Sequence, residues 1–176
     1  MERKLNNSET QFKQAFLPYV RLVDDVLESR LPRREDFSAP VVEAMRYSLL
    51  APAKRVRPVL TLVSAELAGG KTESALDAAC AVEMIHTASL ILDDLPCMDN
   101  ASLRRGHAAL HIHAGEATAI LAANALLMQG FNLIGQSVES CSLNTKSAAA
   151  LVRDAADCVG VPGMIGGQWK DLNLDE

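Results

Sequence analysis

The sequence predicts an all-α fold, and three observations carry that expectation. Apolar residues recur at three- and four-residue intervals, the 49% hydrophobic fraction is mostly Ala, Leu, Val and Ile, and aromatics make up only 4%. Alanine-rich amphipathic segments favour closely packed helices. No alternating strand pattern, repeat or low-complexity segment interrupts them.

In chain order, Phe12, Phe16, Tyr19, Val23 and Leu27 share one helical face, and Leu31-Pro32-Arg33-Arg34 closes that segment. Pro18 either kinks this helix or marks its start. A second helix spans Ala39 to Leu50, with Pro40 suited to its first turn, and Ala51-Pro52-Ala53 breaks the chain. A third runs from about Pro58 to Leu67 and stops at Gly69-Gly70. A fourth, capped by Thr72, runs to about Leu95, where Pro96 ends it. Residues 97–115 read as irregular. Glu116 to Ile134 forms an almost wholly apolar helix suited to burial, and Thr145 to Cys158 forms another.

The chain has 176 residues, enough for one domain or part of a larger one. A net charge of −5 excludes a general nucleic-acid binder, which needs basic surface, but leaves room for one local cationic site. Cys80, Cys97, Cys141 and Cys158 form no C-x-x-C pair and read as reduced thiols. The N-terminal residues lack a signal-peptide apolar stretch, and the longest nearly uncharged run, Ala117–Met128, is too short to span a bilayer. A cytoplasmic protein without an integral membrane segment is expected.

Two clusters carry chemistry. Lys54-Arg55-Val56-Arg57-Pro58 puts three cations at the start of the third helix, with Pro58 as its first residue. Cations there oppose the helix dipole unless an anion binds, when backbone N–H groups and side chains address the same charge. The competing reading is a solvated basic turn. Asp93-Asp94-Leu95-Pro96-Cys97-Met98-Asp99 ends an apolar helix in adjacent carboxylates. Their repulsion and desolvation call for a cation, and magnesium accepts one or two carboxylates plus phosphate oxygens and water. A solvated acidic helix end is the alternative.

Glu83, His86, Leu90 and Asp93 fall on one stripe of that helix, with His86 two turns before Asp93. Leu103-Arg104-Arg105-Gly106 follows the carboxylates. Paired guanidinium forks suit diphosphate oxygens, and simple pairing with Asp94 or Asp99 is the competing reading. His107, His111 and His113 have spacings compatible with a transition metal, but no cysteine or further helical ligand supports zinc.

In this order, with Gly166-Gly167-Gln168 and Asp171 added, the motifs closely resemble those of the trans-type polyprenyl (farnesyl/geranylgeranyl) diphosphate synthases over roughly residues 40–172. The resemblance implies an antiparallel helix bundle of the isoprenoid synthase type and a magnesium-dependent head-to-tail condensation of isopentenyl diphosphate with an allylic diphosphate. Carried over by position, Lys54, Arg57, His86 and Arg105 hold isopentenyl diphosphate. Asp93 and Asp99 ligate magnesium, Asp94 extends the acidic face, and Arg104, Gln168 and Asp171 face the allylic diphosphate. Asp93, Asp94, Asp99 and Arg104 make up the catalytic set. Ala88, small where short-chain enzymes often carry an aromatic plug, implies a product of C15–C20 or longer. The resemblance also implies a homodimer, for which the Glu116–Ile134 helix offers an apolar face.

The chain departs from the family pattern at Leu92, Ala101-Ser102, His107-Ala108-Ala109 and Ala123-Asn124, each change removing charge near the site. Family members run to roughly 300 residues, twice the usual single-domain prior. Residues 1–176 therefore read as the N-terminal portion of one synthase domain, incomplete at the C-terminus. The second aspartate-rich motif is not in this sequence, so the polypeptide alone is expected to be inactive or severely impaired. A non-catalytic regulatory subunit is the alternative. A terpene cyclase is a more distant one, because cyclases have no isopentenyl diphosphate for Lys54 to Pro58 to hold.

Overall fold

The computed structural model describes residues 7–33 and 39–173, with side chains from Gln14 onward. Arg34 and the side chain of Phe12 therefore lie outside the described residues. Helix α1 (Asn7–Leu27) begins well before Pro18, so the proline is internal and the carbonyl of Gln14 loses its helical donor. Helix α2 spans Ala39–Leu49 and α3 spans Val56–Leu67. Pro58 is thus the third residue of α3, not its first. The difference costs nothing, because the N–H groups of a helix's first turn have no intrahelical acceptor in any case.

The expected fourth helix is a 3-10 turn, Thr72–Ala75, followed by α4, Leu76–Asp93. Thr72 does not cap it. Its hydroxyl donates to Glu66 across the turn. Residues 97–115 also differ from expectation. They contain strands β1 (Leu103–Arg104) and β2 (His107–Ala108), paired antiparallel with Arg104 opposite His107, and the short helix α5, Leu110–Ala114. Two-residue strands are too short to show a period of two, so a pattern search passes over them. Helices α6 (Glu116–Ser140), α7 (Thr145–Val159) and α8 (Met164–Asp171) complete the described chain. The Asn144 side chain caps α7 by accepting from the Ser147 amide at 3.0 Å.

Helix α4 is the centre of the fold. It is buried on nearly all sides because α6, α3, α2 and α1 surround it. Leu126 and Leu133 of α6 meet Met84 and Ala88 of α4 in one continuous core, which also takes in Leu27, Met45 and Leu49. Each such large side chain contributes about 1.5–3 kcal/mol by leaving water. The approach is close at Gly130, where a Cβ would stand 2.8 Å from Ile85 Cγ1 and 3.1 Å from the Ala81 carbonyl.

Thr72–Asp93 and α6 are each long and apolar enough to cross a bilayer, with a mean hydropathy of 1.5. The Ala117–Met128 run is therefore part of a longer apolar helix than the sequence suggested. Mutual packing accounts for α4 and for one face of α6. The other face of α6 leaves Ile120, Leu121 and Met128 exposed. All four cysteines are free, and burial pushes the Cys80 thiol up to about 12.

Candidate active site

Arg55 sets the geometry of the basic motif. It takes a left-handed backbone (φ 49°) as the residue preceding α3, which turns its side chain inward to 4% exposure. There its guanidinium donates to Asp24 Oδ1 at 2.8 Å, Glu83 Oε1 at 2.7 Å and the Leu49 carbonyl at 3.0 Å. One of the three cations counted at this helix start is thus neutralised internally. Lys54 and Arg57 remain exposed. They line an open cleft of about 590 Å³ together with His86, Glu83 and Arg105. Three separate segments, the α3 start, α4 and the β1–β2 turn, deliver these side chains to one place.

The turn that brings Arg105 there is tight. Arg105 and Gly106 both have positive φ, 53° and 83°, as a two-residue hairpin loop of the mirror-image type requires. Glycine takes that conformation freely, whereas arginine needs a partner to hold it. Glu83 Oε1 stands 3.9 Å from Arg105 Nη2.

His86 Nε2 lies 3.2 Å from Arg57 Nη1, a contact in which the neutral imidazole accepts from the guanidinium. Burial, and next the Arg57 charge, hold the imidazole pKa below its ordinary value, with Glu83 opposing. The unfolded chain therefore binds the His86 proton first, near pH 6.5. Stability is expected to fall as pH drops from about 6.5 towards the lowered folded value. His86→Gln should flatten that slope in urea unfolding between pH 7.5 and 5.5. Identical slopes in both proteins would contradict this account of His86.

The acidic motif divides between two environments. Asp93 is the last residue of α4 and Asp94 follows as its cap. The loop then curls back, and the Asp99 amide donates to the Asp93 carbonyl at 2.8 Å, which sets Asp99 beside Asp93. Burial raises the Asp93 pKa, and Asp99 and Asp94 raise it further, while a hydrogen bond from Gln168 lowers it. Gln168 Nε2 donates to Asp93 Oδ1 at 2.6 Å and to the Ser89 carbonyl at 3.3 Å. Asp94 is instead fully enclosed. Its carboxylate accepts from Arg104 Nε at 2.9 and 3.1 Å and from Arg104 Nη2.

Gly166 explains how Gln168 reaches Asp93. A Cβ there would lie 2.1 Å from the Val161 carbonyl, so only glycine lets α8 begin this close to the preceding turn. Asp171 is exposed one helical turn beyond Gln168, on the same side of α8. Ala88 is 2% exposed within the main core, and Leu92 packs on the same cluster.

No three His, Cys, Asp or Glu side chains converge as a metal cage among the described residues. The donor set still fits magnesium. Asp93 and Asp99 offer hard oxygens, Asp93 is an under-compensated carboxylate, and this ion commonly completes its shell with water and substrate phosphate. His113 is occupied otherwise, stacked on Tyr47 with centroids 3.9 Å apart.

Some of this arrangement was not visible in the motifs. Glu83 read as one more stripe residue, yet it bonds Arg55 and faces Arg105, and Arg55 read as a free cation. The signal available is the position of Glu83 within an apolar stretch of α4, residues 78–85, because a carboxylate there needs a buried partner.

Both the sequence and the fold match known proteins. Residues 38–176 match the family model for polyprenyl synthetase. The chain is 43% identical over 173 residues to the heterodimeric geranylgeranyl pyrophosphate synthase large subunit 1 of Arabidopsis thaliana, covering 98% of this chain and 46% of that protein. It is 42% identical to geranylgeranyl pyrophosphate synthase 4 of the same organism, with the same coverage. The crystal structure of an FPP/GFPP synthase from Zymomonas mobilis superposes with a TM-score of 0.87 at 34% identity, covering 94% of this chain and 59% of the other. Geranyltransferase from Legionella pneumophila gives 0.85 at 31% identity, covering 94% and 58%. The chain spans about half the length of the curated relatives it matches.

Proposed function

Because this chain belongs to the polyprenyl synthetase family, we propose that it binds isopentenyl diphosphate and the diphosphate end of an allylic substrate for head-to-tail prenyl transfer. The observation that carries this reading is the convergence of Lys54, Arg57, His86 and Arg105 on one cleft. The Asp93–Asp99 end of α4 lies seven residues from His86, about 10 Å along the helix axis. Two diphosphates bound at these two places would point their hydrocarbon chains along the same helix.

In this reading Lys54, Arg57 and Arg105 take the isopentenyl diphosphate, and neutral His86 adds a hydrogen bond through its ring. Asp93 and Asp99 would hold magnesium, which when bound withdraws charge from the allylic diphosphate oxygens. Arg104 commits its Nε and Nη2 edge to Asp94, so its remaining edge can meet the same diphosphate as negative charge develops on it. The allylic C–O bond breaks with its electron pair leaving on the diphosphate. The isopentenyl double bond then attacks the allylic carbon, and loss of a proton restores a neutral alkene. Gln168 keeps Asp93 in place, Asp171 lines the approach one turn further on, and Ala88 bounds the chain-length pocket. The exposed apolar face of α6 is proposed to receive a second subunit, either another copy or a related synthase chain.

The test is calorimetry with isopentenyl diphosphate, alongside product analysis with magnesium and labelled geranyl or farnesyl diphosphate. Arg57→Ala is expected to weaken binding by about tenfold or more, as for loss of a charge-assisted hydrogen bond. Undiminished binding in that variant would overturn the cleft assignment. Binding without turnover is the outcome expected of a half-site, whether in a portion of a synthase or in a regulatory subunit, and uncharged Leu92, Ala101 and Ser102 near the metal end are in keeping with it.

A further inference from the structure

A carboxylate is out of place in a cleft built to hold an anion, and Glu83 is one. It is 1% exposed and lies one turn before His86 on α4. Its Oε1 accepts from Arg55 Nη1 at 2.7 Å and stands 3.9 Å from Arg105 Nη2. Both arginines have a left-handed backbone, with φ of 49° and 53°, and both come from turns outside α4. Non-glycine residues persist in that conformation only where their surroundings over-determine it. Glu83 is the partner they share.

We infer that Glu83 is a positioning residue for the cleft, drawing Arg105 from the hairpin tip onto the cleft wall, where its guanidinium can meet a diphosphate. The inference rests on the diphosphate reading of the cleft. The anchor is itself braced, because Asp24 on α1 holds the other side of Arg55 at 2.8 Å. A chain of alternating charge, Asp24–Arg55–Glu83–Arg105, thus ties α1, the α3 start, α4 and the β1–β2 turn together. Burial depresses the Arg105 pKa, and Arg55, Arg104 and Arg57 add to this while Glu83 opposes it. With Glu83 neutralised, that repulsion would favour Arg105 swinging towards solvent.

The sign of one substitution decides the matter. Glu83→Gln makes the cleft one unit more positive, so a purely Coulombic role predicts tighter anion binding. Positioning predicts the reverse. The experiment is calorimetric titration of the full chain with inorganic pyrophosphate. Glu83→Gln is expected to bind about tenfold more weakly, as if one charge-assisted contact were lost. On an Arg105→Ala background the same substitution should not weaken binding further. Tighter binding by Glu83→Gln, or equal weakening on both backgrounds, overturns the inference.

A second readout needs no ligand. Nitrogen-15 relaxation of the Arg105 side-chain Nε–H should show an ordered group in the parent and a mobile one in Glu83→Gln. Should that variant not fold, Glu83→Asp keeps the buried charge while drawing the carboxylate back from both arginines, and should loosen Arg105, the more distant of the two, in the same way. Unchanged Arg105 order in the folded variant overturns the inference. If the parent chain binds no pyrophosphate, the diphosphate reading fails, while the relaxation measurement still decides whether Glu83 anchors Arg105.

Discussion

Arg55→Met should lower the free energy of unfolding by about 3–5 kcal/mol, the usual cost of removing one partner from a buried ion pair. The arginine side chain is 3% exposed and that of Glu83 is 2% exposed, so neither charge can turn to water when the other is lost. Arg105 at 3.9 Å is too distant to replace the 2.7 Å contact. The substitution also strands the Leu49 carbonyl, which accepts from Arg55 at 3.0 Å at the end of α2. Arg57→Ala, two residues later and exposed, should stay within about 0.5 kcal/mol of the parent. Urea unfolding of the two variants would show this contrast, and a loss below about 1 kcal/mol for Arg55→Met would contradict it. One basic motif then holds a cation for stability and another for ligand, and only the three-dimensional structure tells them apart.

That distinction marks how much of the molecule can be read from its sequence. The long helices are legible because their apolar faces repeat over many turns. The expected Thr145–Cys158 helix differs from α7 by one residue, and the Gly69-Gly70 stop falls where α3 ends. Features of two to five residues leave no periodicity, so the β1–β2 hairpin and α5 carry no sequence signal. The helix-start rule placed Pro58 two positions early because a proline fits any position of a first turn. Among the site residues, Lys54, Arg57, His86 and Arg105 could be nominated by chemistry and resemblance. Their convergence depends on the left-handed turns at Arg55 and Arg105, which sequence propensity disfavours and which tertiary ion pairs hold in place. The Gln168 contact with Asp93 depends similarly on the close approach at Gly166, a packing fact with no local signature.

The adjacent aspartates of the acidic motif should respond to neutralisation with opposite signs. Asp94 has a 3% exposed side chain, and Arg104 satisfies its carboxylate. Asp94→Asn leaves the guanidinium without its counter-charge, and Arg104→Ala leaves the carboxylate buried alone. For the latter, a loss of about 3 kcal/mol or more is expected. Asp93 is the reverse case. Its folded pKa is raised, so the folded state holds the ionised form less well than the unfolded chain does, and that penalty is present at neutral pH. It disappears as pH falls through the raised value and the carboxyl takes up a proton. Asp93→Asn should therefore stabilise the ligand-free chain at pH 7.5, with the amide oxygen still accepting from Gln168. It should at the same time abolish any strengthening of pyrophosphate binding by magnesium. Added stability alongside lost metal response is the signature of a site strained for function. Urea unfolding with and without magnesium and pyrophosphate would read both effects. Equal destabilisation by Asp93→Asn and Asp94→Asn would mean that the two carboxylates share one structural role, and the separation into a metal ligand and an arginine anchor would be lost.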